Sequence, residues 1–385
     1  MVVLGFAVVA RLLLASVANH GAAELSPLKA ANVSVRMEDA GLVGSASSED
    51  AKATPSPRIE TLWAHADETD GGSSRCLVVV VPGAPGVGVL YAGLLHSLAA
   101  EQRLRRPAQP PCTSLALSYP RDPSVPAELE TVAAAVASAL RTVLTDERWS
   151  GGVTLLAQSM GSWFVLRALA VLHNSQPALL ASDGQLRGVE LITPFLDPRS
   201  SERGRSAGWL LPTAQRVAPL AERWLPALLT PRQLGKIGMA VQWLRGKDPD
   251  MGVDALYFYE AIGARLGEGI VSRTLALASE AIVGSKLGPL HDRRAHPREM
   301  DVLIMLARQA KLAFQLARDD MWTTNFDEYH AVVLAELSND EDEGRHLLPP
   351  VHVHDVRHGF PQVSAHCRLV AATIVADMKE LGWME

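Results

Sequence analysis

The chain has 385 residues, 48% of them hydrophobic and 20% charged, with a formal net charge of −6. That length supplies one large or two ordinary domains with ample core, and the apolar fraction excludes a mostly disordered chain. The acidic balance leaves no broad positive field to neutralise phosphates, so no nucleic-acid partner is expected.

Residues 1–24 read as an apolar targeting or anchor segment. Val2 to Ala10 is almost wholly apolar, Arg11 interrupts it, Leu12 to Ala18 resumes, and small residues follow at Ala22 and Ala23. A signal peptide with a small-residue cleavage site has this form, although a basic leading region is missing. No run of 18 or more purely apolar residues occurs, so a membrane span is not expected. Residues 25–56, with Ser45 to Asp50 and Thr54 to Pro57, are small, polar and proline-bearing, the composition of a flexible linker. Ordered structure is expected from about Arg58.

From there strand and helix signals alternate. Arg58 to His65 reads as a short strand. Cys76 to Val81 is a continuous β-branched run, the pattern of a strand buried on both faces of a parallel sheet. Pro82 to Gly88 breaks it, and a helix is expected from about Leu90 to Gln102. Ser114 to Tyr119, Val153 to Ala157 and Val189 to Phe195 read as further strands, with helices at Leu129 to Asp146 and Gly161 to Leu172. This repetition predicts an α/β class of fold, a mostly parallel sheet with helices on both faces, formed by residues 57–196 and 300–385. Residues 197–299 carry helical patterns without a convincing strand and read as an inserted helical lid, with Trp209, Trp224 and Trp243 among Leu-, Ala- and Pro-rich segments. Strands return at Leu312 to Leu316 and Val351 to Val356, and a helix from Ser364 to Leu381 closes the chain.

Ligands of open parallel sheets bind beyond the carboxyl ends of the strands, so the loops there are the place to search. Ala157-Gln158-Ser159-Met160-Gly161 lies between a buried strand and a helix. Small residues on both sides of a serine at such a turn fit a nucleophile elbow, where bulkier ones would collide with strand and helix. The blander alternative is a serine capping the helix. A serine nucleophile needs a base, and His358, just past the last strand, is placed to reach the same end of the sheet. The orienting acid is sought after the preceding strand, where Asp319 and Asp320 both qualify. Serine, then acid, then histidine is the chain order of α/β-hydrolases. Gly83-Ala84-Pro85-Gly86 after the first buried strand offers the Ala84 N–H to a developing oxyanion, with the Met160 N–H as second donor. A phosphate loop is not matched, because no Lys-Ser/Thr follows and the glycine spacing misses the dinucleotide fingerprint. No cofactor is expected. His352, His354 and His358 match no compact ligand motif, so no metal is expected, and a polar-faced strand is the simpler reading. Cys76, Cys112 and Cys367 are too few and scattered for a disulfide framework. One pair could bridge in an oxidising compartment, but three buried free thiols are expected.

Val81 to Gly86 with Tyr91, Ala157 to Gly161, Ala207 to Leu210, Asp320-Met321-Trp322 and Arg357 to Phe360 occur in an order that resembles the lipid-droplet-associated hydrolases, a branch of the α/β-hydrolase superfamily. The resemblance spans residues 58–385. It implies the α/β-hydrolase fold and a serine esterase with Ser159 as nucleophile, Asp320 rather than Asp319 as acid, and His358 as base. It also implies neutral-lipid or sterol esters as substrates, and association with the lipid-droplet monolayer or endoplasmic reticulum surface. Secretory or organellar targeting through residues 1–24 is the other placement. The family usually has glycine at Ala157, histidine at Gln158 and asparagine at Ala84. A tryptophan-bearing lid suits an acyl pocket and a lipid surface alike. The alternatives are a thioesterase, acyltransferase or peptidase using the same site, and a droplet-surface scaffold with little turnover.

Overall fold

The computed structural model describes residues 34–40, 59–65, 74–107, 109–120, 126–195, 202–246, 253–282, 297–318, 320, 348–356 and 358–384. Residues 1–24, the serine- and proline-bearing parts of the linker, Asp319, Met321, Trp322 and Arg357 lie outside them.

Eight strands among the described residues form one sheet: β1 (Ser34–Ala40), β2 (Ile59–His65), β3 (Cys76–Val81), β4 (Thr113–Leu117), β5 (Gly152–Gln158), β6 (Leu186–Ile192), β7 (Leu312–Ala317) and β8 (Val351–His354). Their spatial order is β1-β2-β4-β3-β5-β6-β7-β8. Only β2 runs against the rest, pairing antiparallel with β1 and β4. Strand β1 lies within residues 25–56, read above as linker. Val33, Val35 and Met37 alternate with polar residues there, a period of two that a composition-based reading passes over.

The crossovers are helices α1 (Ala92–Arg105), α2 (Leu129–Leu144) and α3 (Met160–Ser175). After β6 come α4 (Glu202–Leu228), α5 (Pro231–Gly246), α6 (Val253–Ala264) and α7 (Ile270–Ile282), then α8 (Pro297–Arg308) before β7 and α9 (Ser364–Glu380) at the end. The core boundary expected at residue 300 cuts through α8, which packs on α3 beside the sheet. On one face of the sheet lie α1 and α9, and on the other α2, α3 and α8. Two buried clusters result, one per face. Val78 to Val81 in β3 are fully buried, as the unbroken β-branched run requires. Helix α3 is buried nearly all round, from Phe164 to Leu172, because it sits between the sheet and two other helices. Tyr119 and Trp163 meet Phe164 edge-on at centroid distances of 5.1 and 5.4 Å. Removing such a ring typically costs about 3–5 kcal/mol.

Charged side chains fasten helix ends. Glu222 of α4 accepts hydrogen bonds from the N–H groups of Val271 and Ser272, which open α7. Glu280 of α7 accepts from the Leu129 N–H at the start of α2, at 2.7 Å. Both carboxylates meet the positive end of a helix dipole, and the second ties α7 to the sheet-bound core.

Cys76 and Cys112, which stand side by side at the starts of β3 and β4, are joined by a disulfide, with Cα atoms 4.8 Å apart. This corrects the expectation of three free thiols. Cys367 keeps its thiol and is buried in α9. The bridge follows from the parallel register, in which Leu77 faces Thr113.

A polar network crosses β6, β7, β8 and α9. Gln315 Nε2 donates to Asp377 Oδ2 at 3.1 Å and to Glu190 Oε1, while His352 Nε2 meets Asp377 Oδ1 at 2.9 Å. His354 Nε2 meets Gln315 Oε1. The two histidines thus belong to a partly buried network rather than to a simple polar strand face. Burial, reinforced by the charge of Asp377, holds the Glu190 carboxyl well above the usual carboxylate range. Burial also raises Asp377. A carboxyl raised in the folded state favours folding while protonated, and that contribution is lost as pH climbs through its folded value. Glu190→Gln is therefore expected to raise Tm more at pH 8 than at pH 5, as read by calorimetry at both values. An equal shift at both would contradict this.

Candidate active site

Strands β3, β5, β6, β7 and β8 run parallel, so their carboxyl ends open on the same edge of the sheet. Ser159 follows β5 with φ 52° and ψ −124°, a left-handed conformation rare for a residue with a side chain. The chain reverses there from strand to helix in one residue. Gly161 permits this, since a Cβ at that position would stand 2.4 Å from the Val81 carbonyl oxygen and 2.6 Å from that of Pro82. At residue 157, where the elbow pattern asks for something small, alanine is fully buried and stays in the ladder opposite Val81 and Leu191.

The structure brings Ser159, His358 and Asp320 into one chain of hydrogen bonds. Ser159 Oγ lies 2.6 Å from His358 Nε2, and His358 Nδ1 lies 2.7 Å from Asp320 Oδ2. The Asp320 carboxylate is 1% exposed and the His358 side chain 22% exposed. A carboxylate can only accept, so Nδ1 carries the proton, and the lone pair of Nε2 is left facing the serine hydroxyl. Asp319 lies outside the described residues; among those described, Asp320 supplies the carboxylate bonded to the imidazole.

The predicted oxyanion donors flank the serine. Met160 is the first residue of α3, and Ala84 is exposed in the turn after β3. No hydrogen bond from a described residue engages either N–H. The turn is seated firmly. Gly83 N–H is shared between Tyr91 Oη at 2.9 Å and Gln158 Oε1 at 3.1 Å. A Cβ on Gly83 would stand 2.7 Å from that of Ser159. Tyr119 holds the other side: its N–H donates to the Gly86 carbonyl at 2.7 Å and its hydroxyl to that of Pro82. Sequence reasoning read Tyr119 only as a strand end. The signal for its role is that β4 neighbours β3, which places the residues just past its end beside the loop after β3.

Helices from 202–282 lie against these loops. Helix α6 touches the turns Gly88–Tyr91 and Phe360–Gln362, and Tyr259 Oη donates to Gln362 Oε1 at 3.2 Å. Between the loop after β3 and α7 is a small cleft lined by Val87, Tyr119, Ile270, Arg273 and Leu277. Among the described residues no three His, Cys, Asp or Glu side chains are grouped to share a metal ion.

This strand order, with a strained serine after β5 and a histidine after β8, defines the α/β-hydrolase fold. No protein-family model matches the chain, and no curated protein is significantly similar to it. Similar solved structures include the delta mutant of DBJA (TM-score 0.51, 10% identity, 85% of this chain and 96% of that one covered). Another is the ancestral haloalkane dehalogenase AncHLD2 (TM-score 0.51, 9% identity, 84% and 96% covered). A third is carboxyl esterase 2 of the mycorrhizal fungus Tuber melanosporum (TM-score 0.49, 10% identity, 97% of each chain covered). At these identities the likeness to the first two is one of fold.

Proposed function

We propose that the protein is a serine hydrolase cleaving carboxylic esters of lipids, neutral-lipid or sterol esters, at a lipid surface. The observation that carries this is the unbroken path from the Ser159 hydroxyl through the His358 imidazole to the buried Asp320 carboxylate, set on a strained elbow. In this reading His358 Nε2 takes the hydroxyl proton as Ser159 Oγ attacks the ester carbonyl. The Ala84 and Met160 N–H groups receive the oxyanion, and His358 returns the proton to the leaving alcohol. Water then attacks the acyl-enzyme by the same route in reverse. Asp320 fixes the tautomer and stabilises the imidazolium.

The lipid part rests on α4. Val217, Leu220, Trp224 and Leu228 are each at least half exposed and recur at helical spacing along one stripe. Arg216 and Arg223 border it, and the Arg223 guanidinium lies 5.5 Å from the Trp224 ring centroid. An apolar stripe edged by arginine suits the boundary between head groups and acyl chains, such as a droplet monolayer or the endoplasmic reticulum surface. The disulfide supports a secretory or organellar compartment over the reducing cytosol.

The test is fatty-acid release from emulsified triacylglycerol and sterol ester by the wild type and by Ser159→Ala. Release that disappears in the variant is expected. Cleavage of acyl thioesters or soluble short esters without any lipid-ester turnover would move the assignment to a thioesterase-type activity.

A further inference from the structure

We propose that Gln158 is a positioning residue that holds the oxyanion turn and the histidine loop in register with Ser159, a proposal that rests on the serine-hydrolase reading above. Its side chain is buried directly beneath the candidate site and makes four hydrogen bonds to groups from three separate loops. The carboxamide oxygen accepts from the Tyr91 hydroxyl at 2.6 Å and from Gly83 N–H at 3.1 Å. The carboxamide nitrogen donates to the His358 carbonyl at 2.9 Å and to Thr193 Oγ1 at 3.1 Å.

An amide has two acceptor sites on oxygen and two hydrogens on nitrogen, and all four are used. The orientation is forced. Flipping the amide would aim its N–H groups at the Gly83 N–H and its oxygen at the His358 carbonyl, so two like pairs would face each other in a buried place. Tyr91 is the second member of this arrangement. Burial drives its hydroxyl well above its usual pKa, so it stays a neutral donor across the working range. Its hydroxyl donates a hydrogen bond to Gln158 and accepts one from Gly83, closing a triangle beside Ala84.

Geometry transmits the effect. Gly83 adjoins Ala84: Gln158 holds the Gly83 N–H, and the Gly83 carbonyl accepts from the Gly86 N–H at 2.7 Å, so the peptide that carries the Ala84 N–H is restrained on both sides. The bond to the His358 main chain sets how far Nε2 stands from Ser159 Oγ. Thr193, itself at φ 42°, follows β6 and brings a third loop into the same fixture. Histidine, the residue the resembling family usually carries at this position, can offer one acceptor and one donor. Gln158 offers two of each.

The test compares rates of labelling by a fluorophosphonate probe from pH 5 to 9 in the wild type, Gln158→Glu, Gln158→Met and Tyr91→Phe, with folding checked by near-UV circular dichroism. Displacing reacting groups by about 1 Å typically costs on the order of 100-fold, so both Gln158 variants are expected to label roughly 10- to 100-fold more slowly. Gln158→Glu is isosteric. It places a carboxylate against the His358 main chain, so the acid limb of its pH profile should also move to higher pH, which a merely structural loss would not cause. In Gln158→Met the limb should stay in place. Tyr91→Phe, which keeps the amide, should label a few-fold more slowly and stands in if the Gln158 variants do not fold. Folded Gln158 variants that label at the wild-type rate with an unmoved acid limb would overturn the proposal, as would an unaffected Tyr91→Phe if the Gln158 variants do not fold. A folded wild type that is never labelled would instead overturn the serine-hydrolase reading beneath it.

Discussion

Ser159→Ala is expected to lower ester turnover by on the order of 10⁴- to 10⁶-fold while shifting Tm by only a few degrees. The size follows from the covalent route, since without the hydroxyl no acyl-enzyme forms, and only the oxyanion donors and binding remain to accelerate attack by water. The small stability change follows from what the side chain touches. Ser159 is 9% exposed, and its Oγ contacts the His358 ring rather than capping α3. Alanine fills nearly the same space, and the strain at φ 52° belongs to the backbone and persists. Steady-state kinetics with calorimetry on the same sample checks both halves. A variant that keeps more than a hundredth of wild-type turnover would contradict the assigned nucleophile.

Asp320→Asn is expected to lower turnover by about 10⁴-fold with the fold intact. The cause is a tautomer, not a lost charge alone. The carboxylate accepts from Nδ1, which leaves Nε2 unprotonated and able to take the Ser159 proton. An asparagine amide aimed at Nδ1 offers hydrogens instead. The imidazole then places its proton on Nε2 and can no longer accept from the hydroxyl. Burial of the carboxylate strengthens the dependence, because water cannot substitute for it. Asp319→Asn should leave turnover within a few-fold. A reversal of these two results would reassign the acid.

The parts of this arrangement that a reader of the sequence can see are local ones. The β-branched run of β3 announces a strand buried on both faces, and small residues around Ser159 announce a tight turn into a helix. The order of serine, acid and histidine then follows from strands that end on one edge. Parts that depend on which strands are neighbours are not visible in this way. Cys76 and Cys112 are 36 residues apart, and they meet only because β3 and β4 are adjacent. Periodicity does not distinguish Asp319 from Asp320, two neighbouring carboxylates just past β7. Strand β1 was hidden by polar surroundings, and its pairing with β2 supplies what its composition does not. The hydrogen bonds of Gln158 reach across 67, 75, 35 and 200 residues, so no local pattern announces them.

The proposed activity depends on activation of Ser159 by His358. Labelling of the folded protein by a fluorophosphonate probe, compared across wild type, Ser159→Ala and His358→Ala, tests it most directly. Strong labelling of the wild type is expected, with no labelling of the serine variant and labelling of the histidine variant slowed by at least about 10³-fold. A correctly folded wild type that does not react, or a histidine variant that reacts as fast as wild type, would contradict it and favour a scaffold that keeps the fold without turnover.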